Sequence, residues 1–156
     1  MSFSREPLRA TTILLADDNE DDRLMAKDAL TESMIVCDLR EVEDGEMLMD
    51  YLLKRGTYSA PGSAPRPSLI LLDLNMPRKS GHEALREIRA DSTLRRIPVI
   101  VLTTSQAEKD VVLSYDLGVN SFISKPVIFP ALVKIMSSFA SYWIDSCAIP
   151  PAPEDA

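Results

Sequence analysis

Residues 13–22 read ILLADDNEDD. An apolar run ends at Asp17 and Asp18, and Glu20, Asp21 and Asp22 follow at once. A short continuous run of Ile, Leu and Ala has the look of a strand covered on both faces, and the polar break marks its carboxyl end. Adjacent carboxylates repel, and each prefers water to a crowded pocket. Two explanations compete for the pair at the strand tip: a multivalent cation that needs both, or a solvated helix start capped by an acid.

Four further apolar runs lie downstream: VCDLREV (36–42), SLILL (68–72), IPVIVL (97–102) and VNSFIS (119–124). The run over 36–42 alternates, which suits an edge strand. Helical patterns fill the gaps. Leu24, Met25, Ala29 and Leu30 share a face after a candidate Asp21 cap. Met47, Leu48, Tyr51 and Leu52 do so after Asp44-Gly45, Ala84, Leu85 and Ile88 after Gly81, and Val111, Val112 and Tyr115 after Gln106. Leu132, Ile135, Met136, Phe139, Ala140 and Trp143 keep a 3.6 period in the last helix, with Pro130 near its start. Strand and helix alternate five times, which predicts a parallel α/β sheet with right-handed crossovers, five helices on its two faces and the flavodoxin-like strand order 2-1-3-4-5.

The 156 residues carry a formal net charge of -7 and no basic patch, which argues against nucleic acid as a partner. No apolar run is long enough to span a bilayer, and MSFSREPLRATT lacks the apolar core of a signal peptide. A cytoplasmic protein that does not engage a membrane is the expectation. Cys37 and Cys147 make no metal spacing, and a disulfide is not expected in that compartment. Residues 1–11 read as an extension, 12–146 as one domain with no effector domain after it, and 147–156 as a Pro-rich acidic tail expected to be disordered. TYSAPGSAPRP (57–67) reads as a surface connection.

Ligands of open parallel sheets bind outside the carboxyl ends of the strands. There the first strand delivers Asp17 and Asp18, the third Asp73, the fourth Thr103 followed by Thr104 and Ser105, and the fifth Lys125 followed by Pro126. Taken singly, each has a plain explanation: a helix cap, a turn former before Met76-Pro77, a strand end, a solvated lysine. Together they make a coherent chemistry. Three carboxylates suit Mg²⁺, which takes oxygen ligands and removes their mutual repulsion. Asp73 is then a nucleophile toward phosphorus, Lys125 offsets phosphoryl charge, and the Thr103 hydroxyl donates to a phosphoryl oxygen.

With these motifs assembled, the chain resembles the response-regulator receiver domains of two-component signalling, from about Thr12 to Trp143. The acidic pair after strand one, Asp-x-x-Met-Pro-x-x-x-Gly over 73–81, Thr103 and Lys125-Pro126 carry the resemblance. It implies that Asp73 is the phosphoacceptor. It implies that Asp18, Asp73 and the backbone carbonyl of Asn75 ligate Mg²⁺, with Asp17 acting mainly through a water of the ion. It also implies that Phe122 is the aromatic whose rotamer follows Thr103, although Phe122 reads equally as a core aromatic. LNMPRKSG, RRIPVIVLTTS and SYDLGVNSFISKPV further resemble the single-domain regulators that partner phytochrome histidine kinases. That subgroup implies a homodimer through the fourth helix, fifth strand and fifth helix, where Tyr142 and Trp143 fit. Expected partners are a sensor histidine kinase, with a phytochrome as the candidate, and a histidine phosphotransfer protein. Such a protein catalyses only its own phosphorylation and dephosphorylation.

Thr104 departs from the small residue frequent after the switch threonine, and its bulk is expected to narrow access to the phosphoryl group. His82, at a helix start, reads as a surface residue. The competing reading is a Mg²⁺-dependent phosphohydrolase of the haloacid-dehalogenase type. It requires an acid–base Asp where Asn75 stands and places the acidic pair last rather than first. No Gly-rich loop follows the first strand, which disfavours a nucleotide-binding module.

Overall fold

The computed structural model describes residues 11–34, 36–104, 115–119, 121–125 and 128–139. Its five parallel strands are β1 (Thr11–Ala16), β2 (Cys37–Val42), β3 (Leu69–Leu72), β4 (Val99–Thr103) and β5 (Ser121–Ser124). They lie in the order β2-β1-β3-β4-β5, the order expected from the alternation of strand and helix. Helices α1 (Glu20–Glu32), α2 (Gly45–Leu53) and α3 (Gly81–Ala90) and a C-terminal helix (Phe129–Phe139) accompany them. Of the helix expected after Gln106 only Tyr115 and Asp116 are described, as helix; the residues before them fall outside the described ones, as do Pro126, Tyr142, Trp143, Cys147 and the tail. The first strand begins at Thr11, one residue inside the stretch read as an extension.

Side-chain alternation divides the core in two. Leu14 and Ala16 of β1, Ile70 and Leu72 of β3, and Val99 and Val101 of β4 pack with Leu48, Leu85 and Ile88 of α2 and α3. Ile13 and Leu15, Leu69 and Leu71, and Ile100 and Leu102 face the other way, onto Ala26, Ala29 and Leu30 of α1 and Leu132 and Met136 of the C-terminal helix. Both faces of β1, β3 and β4 are thus covered, which is why these strands read as continuous apolar runs. At one edge, β2 is half-buried along most of its length, and at the other, Phe122 and Ile123 of β5 are half-buried too.

Capping sets the phase of each helix. Asn19, not Asp21, starts α1, its side chain accepting from the Asp22 N–H. The buried face is Ala26, Ala29 and Leu30: Ala29 and Leu30 were on the face read from sequence, but Leu24, 55% exposed, and Met25 are not buried. Asp44 caps α2 through the Met47 N–H at 2.7 Å, and Ser80 caps α3 through Glu83. The segment over 57–67 is more than a surface connection. Ala64 and Pro67 are buried, and the Tyr51 hydroxyl donates to the Pro65 carbonyl at 2.7 Å.

Candidate functional site

Backbone ladders run one residue beyond the strands and so deliver the rim side chains in fixed register. The Asp17 N–H donates to the Val42 carbonyl (3.1 Å), Asp73 N–H to Ala16 (2.9 Å) and Lys125 N–H to Thr103 (2.7 Å). Asp17, Asp73, Thr103 and Lys125 therefore meet at one point of the carboxyl rim. All four are buried, at 2%, 6%, 0% and 7% exposure. Asp18, next along the chain, faces solvent.

The loop after β3 is pinned by two glycines. A Cβ on Gly81 would stand 2.4 Å from the Asp73 carbonyl oxygen, and one on Gly45 would stand 2.1 Å from that of Lys79. Neither position has room for a side chain. In exchange Gly81 N–H donates to Leu74 and Gly45 N–H to Lys79, at 3.0 and 3.1 Å. Leu74 and Met76 are buried under the loop, and Arg78 adopts a left-handed φ of 66° at its tip. Asp73 is thus held from behind while its carboxylate points into the pocket.

Within the pocket, Thr103 Oγ1 donates to Asp73 Oδ1 at 2.7 Å, and the Asn75 N–H donates to the same oxygen at 3.0 Å. The Asn75 side-chain amide reaches Thr103 Oγ1 and Thr104 Oγ1 at 3.4 and 3.3 Å. Lys125 Nζ forms an ion pair with Asp17, donates to Asp22 Oδ2 at 3.0 Å and lies 3.6 Å from Asp73 Oδ2. Burial raises the Asp17 carboxyl above its ordinary range even though the Lys125 hydrogen bond opposes it. Burial alone would lower Lys125, but its hydrogen bonds to Asp17 and Asp22 and the charges of Asp17 and Asp73 outweigh that and raise it. Burial thus moves Asp17 upward, and the surrounding carboxylates move Lys125 upward.

One carboxylate oxygen from each of Asp17, Asp18 and Asp73 lies within 4.8 Å of the other two. Three hard anionic oxygens around a gap of that size suit a divalent cation, and a cation there removes the surplus negative charge. Residues 13–137 match the family model described as the response regulator receiver domain.

The chain belongs to that family.

Its curated relative, response regulator Rcp1 of Synechocystis sp., is 41% identical over 140 residues, covering 90% of this chain and 93% of the relative. The solved structure of the phosphorylated cyanobacterial phytochrome response regulator RcpA matches with a TM-score of 0.82 at 40% identity, over 91% of this chain and 99% of that one. The Mn(2+)-bound form of Rcp1 matches with a TM-score of 0.80 at 40% identity, over 90% and 99%. Receiver domains are signalling proteins and partners of sensor histidine kinases. The dehalogenase-type alternative finds no support: the matching family model, Rcp1 and RcpA are all of response regulators. Among the described residues no helix is long and apolar enough to cross a membrane.

Asp17, Asp18, Asp73, Thr103 and Lys125 converge, and Asn75 begins the pinned loop. Phe122 pairs in register with Val101 and packs, half-buried, against the α2–α3 side of the core. By alternation Thr103 lies on that same side of the sheet, two residues on from Val101. His82 is half-buried rather than on the surface. Two residues were not singled out from the sequence. Arg23 donates to the Asp17 carbonyl at 2.8 Å and pairs with Glu41 and Glu43, both at 3.5 Å. Asp22 reaches Lys125 across the pocket mouth. The only local signal for either was the density of acids after Asp18.

Proposed function

We propose that Asp73 accepts a phosphoryl group from the phosphohistidine of a sensor kinase, making this chain the receiving half of a two-component pair. The observation that carries the proposal is the setting of the Asp73 carboxylate. It is buried at a strand end, 2.7 Å from a hydroxyl and 3.6 Å from an ammonium, with two more carboxylates beside it. In the transfer an Asp73 oxygen bonds phosphorus as the N–P bond of the phosphohistidine breaks. The imidazole departs with the bonding pair and takes a proton from solvent. Lys125 lies close enough to offset phosphoryl charge, and the Thr103 hydroxyl can turn from the Asp73 carboxylate to a phosphoryl oxygen. Asp17, Asp18, Asp73 and the Asn75 carbonyl would hold Mg²⁺, Asp17 mainly through water, and the ion would supply the charge neutralisation the transfer needs. The chain catalyses only its own phosphorylation and the hydrolysis that resets it.

The signal leaves through Thr103 and Phe122. Movement of Thr103 toward the phosphoryl group vacates space on the side of the sheet where Phe122 packs, and Phe122 turns inward. That alters the surface of β5 with the helices before and after it, through which the protein forms a homodimer and meets its partners. The kinase is a phytochrome: a solved relative at 40% identity, RcpA, is a cyanobacterial phytochrome response regulator. A histidine phosphotransfer protein is a second partner, and the cytoplasm is the compartment. Profiling tests the reading. Phytochrome and other sensor kinases of the same cell are loaded with labelled phosphate and offered to this chain for short times. Preferential transfer from the phytochrome kinase is the expected result; transfer from none of them contradicts the reading.

A further inference from the structure

Lys125 Nζ touches a carboxylate that belongs to neither the cation cluster nor the acceptor. Asp22 stands in the first turn of α1, its N–H held by the Asn19 side chain at 3.0 Å. Its Oδ2 accepts from Lys125 Nζ at 3.0 Å, closer than the 3.6 Å between Nζ and Asp73. The Asp22 side chain is 35% exposed, whereas that of Asp17 is 3% exposed. The ammonium thus sits between a buried carboxylate, which the cation site claims, and one at the pocket mouth, which it does not.

A cation among Asp17, Asp18 and Asp73 competes with the ammonium for Asp17 and repels it. The ammonium must nonetheless remain beside Asp73 if it is to offset phosphoryl charge. An ammonium has three donors and can exchange one acceptor while keeping another. We propose that Asp22 is the positioning residue for Lys125: it keeps the ammonium at the pocket mouth when a divalent cation takes Asp17, so that cation and lysine occupy the site together. The proposal deepens the phosphoacceptor reading and rests on it. Asp22 itself touches neither phosphoryl group nor cation and acts through Lys125. Without it, the ammonium either stays on Asp17 and opposes the cation or leaves the pocket.

Titration calorimetry with Mg²⁺ on the full chain tests this, using wild type, Asp22→Asn, Asp22→Glu, Lys125→Gln and the double variant Asp22→Asn/Lys125→Gln. Asp22→Asn keeps shape and backbone cap but loses the charge. It should weaken Mg²⁺ binding roughly threefold to tenfold in the wild-type background and less than about twofold when Lys125 is already Gln, the signature of coupled residues. Asp22→Glu should restore most of the affinity. Equal weakening in both backgrounds would mean that Asp22 acts on the cation directly by its charge, and no weakening in either would mean that it does not act at all; each result overturns the proposal. The wild-type titration separates the two levels. Failure of wild type to bind Mg²⁺ removes the phosphoacceptor reading as well, whereas normal wild-type binding with an indifferent Asp22 removes this inference alone.

Discussion

Thr103 and Asp73 sit at the ends of neighbouring parallel strands, and the Thr103 hydroxyl donates to Asp73 Oδ1 at 2.7 Å with both side chains buried. The hydroxyl therefore already faces the carboxylate proposed to carry phosphate. On that proposal its contact would change on phosphorylation, because a phosphoryl oxygen would become the better acceptor. An output surface can respond only to such a difference between two states. Thr103→Ala should still accept phosphate but lose the coupling, about 1–3 kcal/mol, between phosphorylation and self-association or partner binding. Sedimentation of both proteins with and without phosphate checks this. A phosphate-dependent shift retained in Thr103→Ala would remove Thr103 as the reader.

Thr104 stands at the mouth, its hydroxyl 3.3 Å from the Asn75 amide. Its bulk is expected to crowd the approach of a hydrolytic water, and Asn75 offers no general base. Thr104→Ala should shorten the phosphoryl half-life by roughly twofold to fivefold, a change of under about 1 kcal/mol in the barrier. Loss of label over time, after removal of donor, gives the half-life. An unchanged or longer one rejects crowding as the cause.

The acidic cluster makes cation binding and stability inseparable. Mg²⁺ at a hundredfold excess over its Kd should stabilise the wild type by about 2.7 kcal/mol. Asp18→Ala should lose that gain and most labelling, yet unfold at higher denaturant than wild type in chelator, because like-charge repulsion is relieved. Denaturant titrations with Mg²⁺ and with chelator measure both effects. Phosphorylation that ran equally well in chelator would exclude the cation from the reaction.

Asp91 organises the turn that leads into β4. Hydrogen bonds from the Leu94 N–H and the Thr93 side chain hold its carboxyl below the usual range. A depressed carboxylate contributes stability above its unfolded value near 3.8, and that contribution is lost as pH falls through the lower folded value. Asp91→Ala should therefore cost about 1 kcal/mol at neutral pH, in line with other capping carboxylates, and progressively less below pH 3.8. Urea unfolding of both proteins across that range reads the difference. A deficit that did not shrink in acid would separate Asp91 from this role.

Much of the site was legible because it is local to strand ends. Asp17, Asp73, Thr103 and Lys125 each stand at the tip of an apolar run, and the strand order brings the tips together without further information. The buried face of α1 was legible only in part: Ala29 and Leu30 are buried as expected, whereas Leu24 and Met25 are exposed and Ala26 is buried instead. The Asp22–Lys125 contact joins residues 103 apart in sequence, and nothing in a run of helix-starting acids distinguishes the one that reaches across. Arg89 was not singled out from the sequence. Its guanidinium in fact donates to the carbonyls of Leu117, Arg95 and Gly118 at 2.7, 2.6 and 3.0 Å, tying α3 to the turn before β5. Burial lowers its pKa, and side chains that serve backbone acceptors leave no pairing pattern in the sequence.

The central claim is that Asp73 carries the phosphate. Its most direct measurement is labelling of wild type and Asp73→Asn by a phosphorylated sensor kinase or a small acyl-phosphate donor, with Mg²⁺, with circular dichroism confirming that the variant is folded. The account predicts one labelled, base-labile aspartyl phosphate in wild type and none in folded Asp73→Asn. Full labelling of folded Asp73→Asn would contradict it and move the acceptor to another residue.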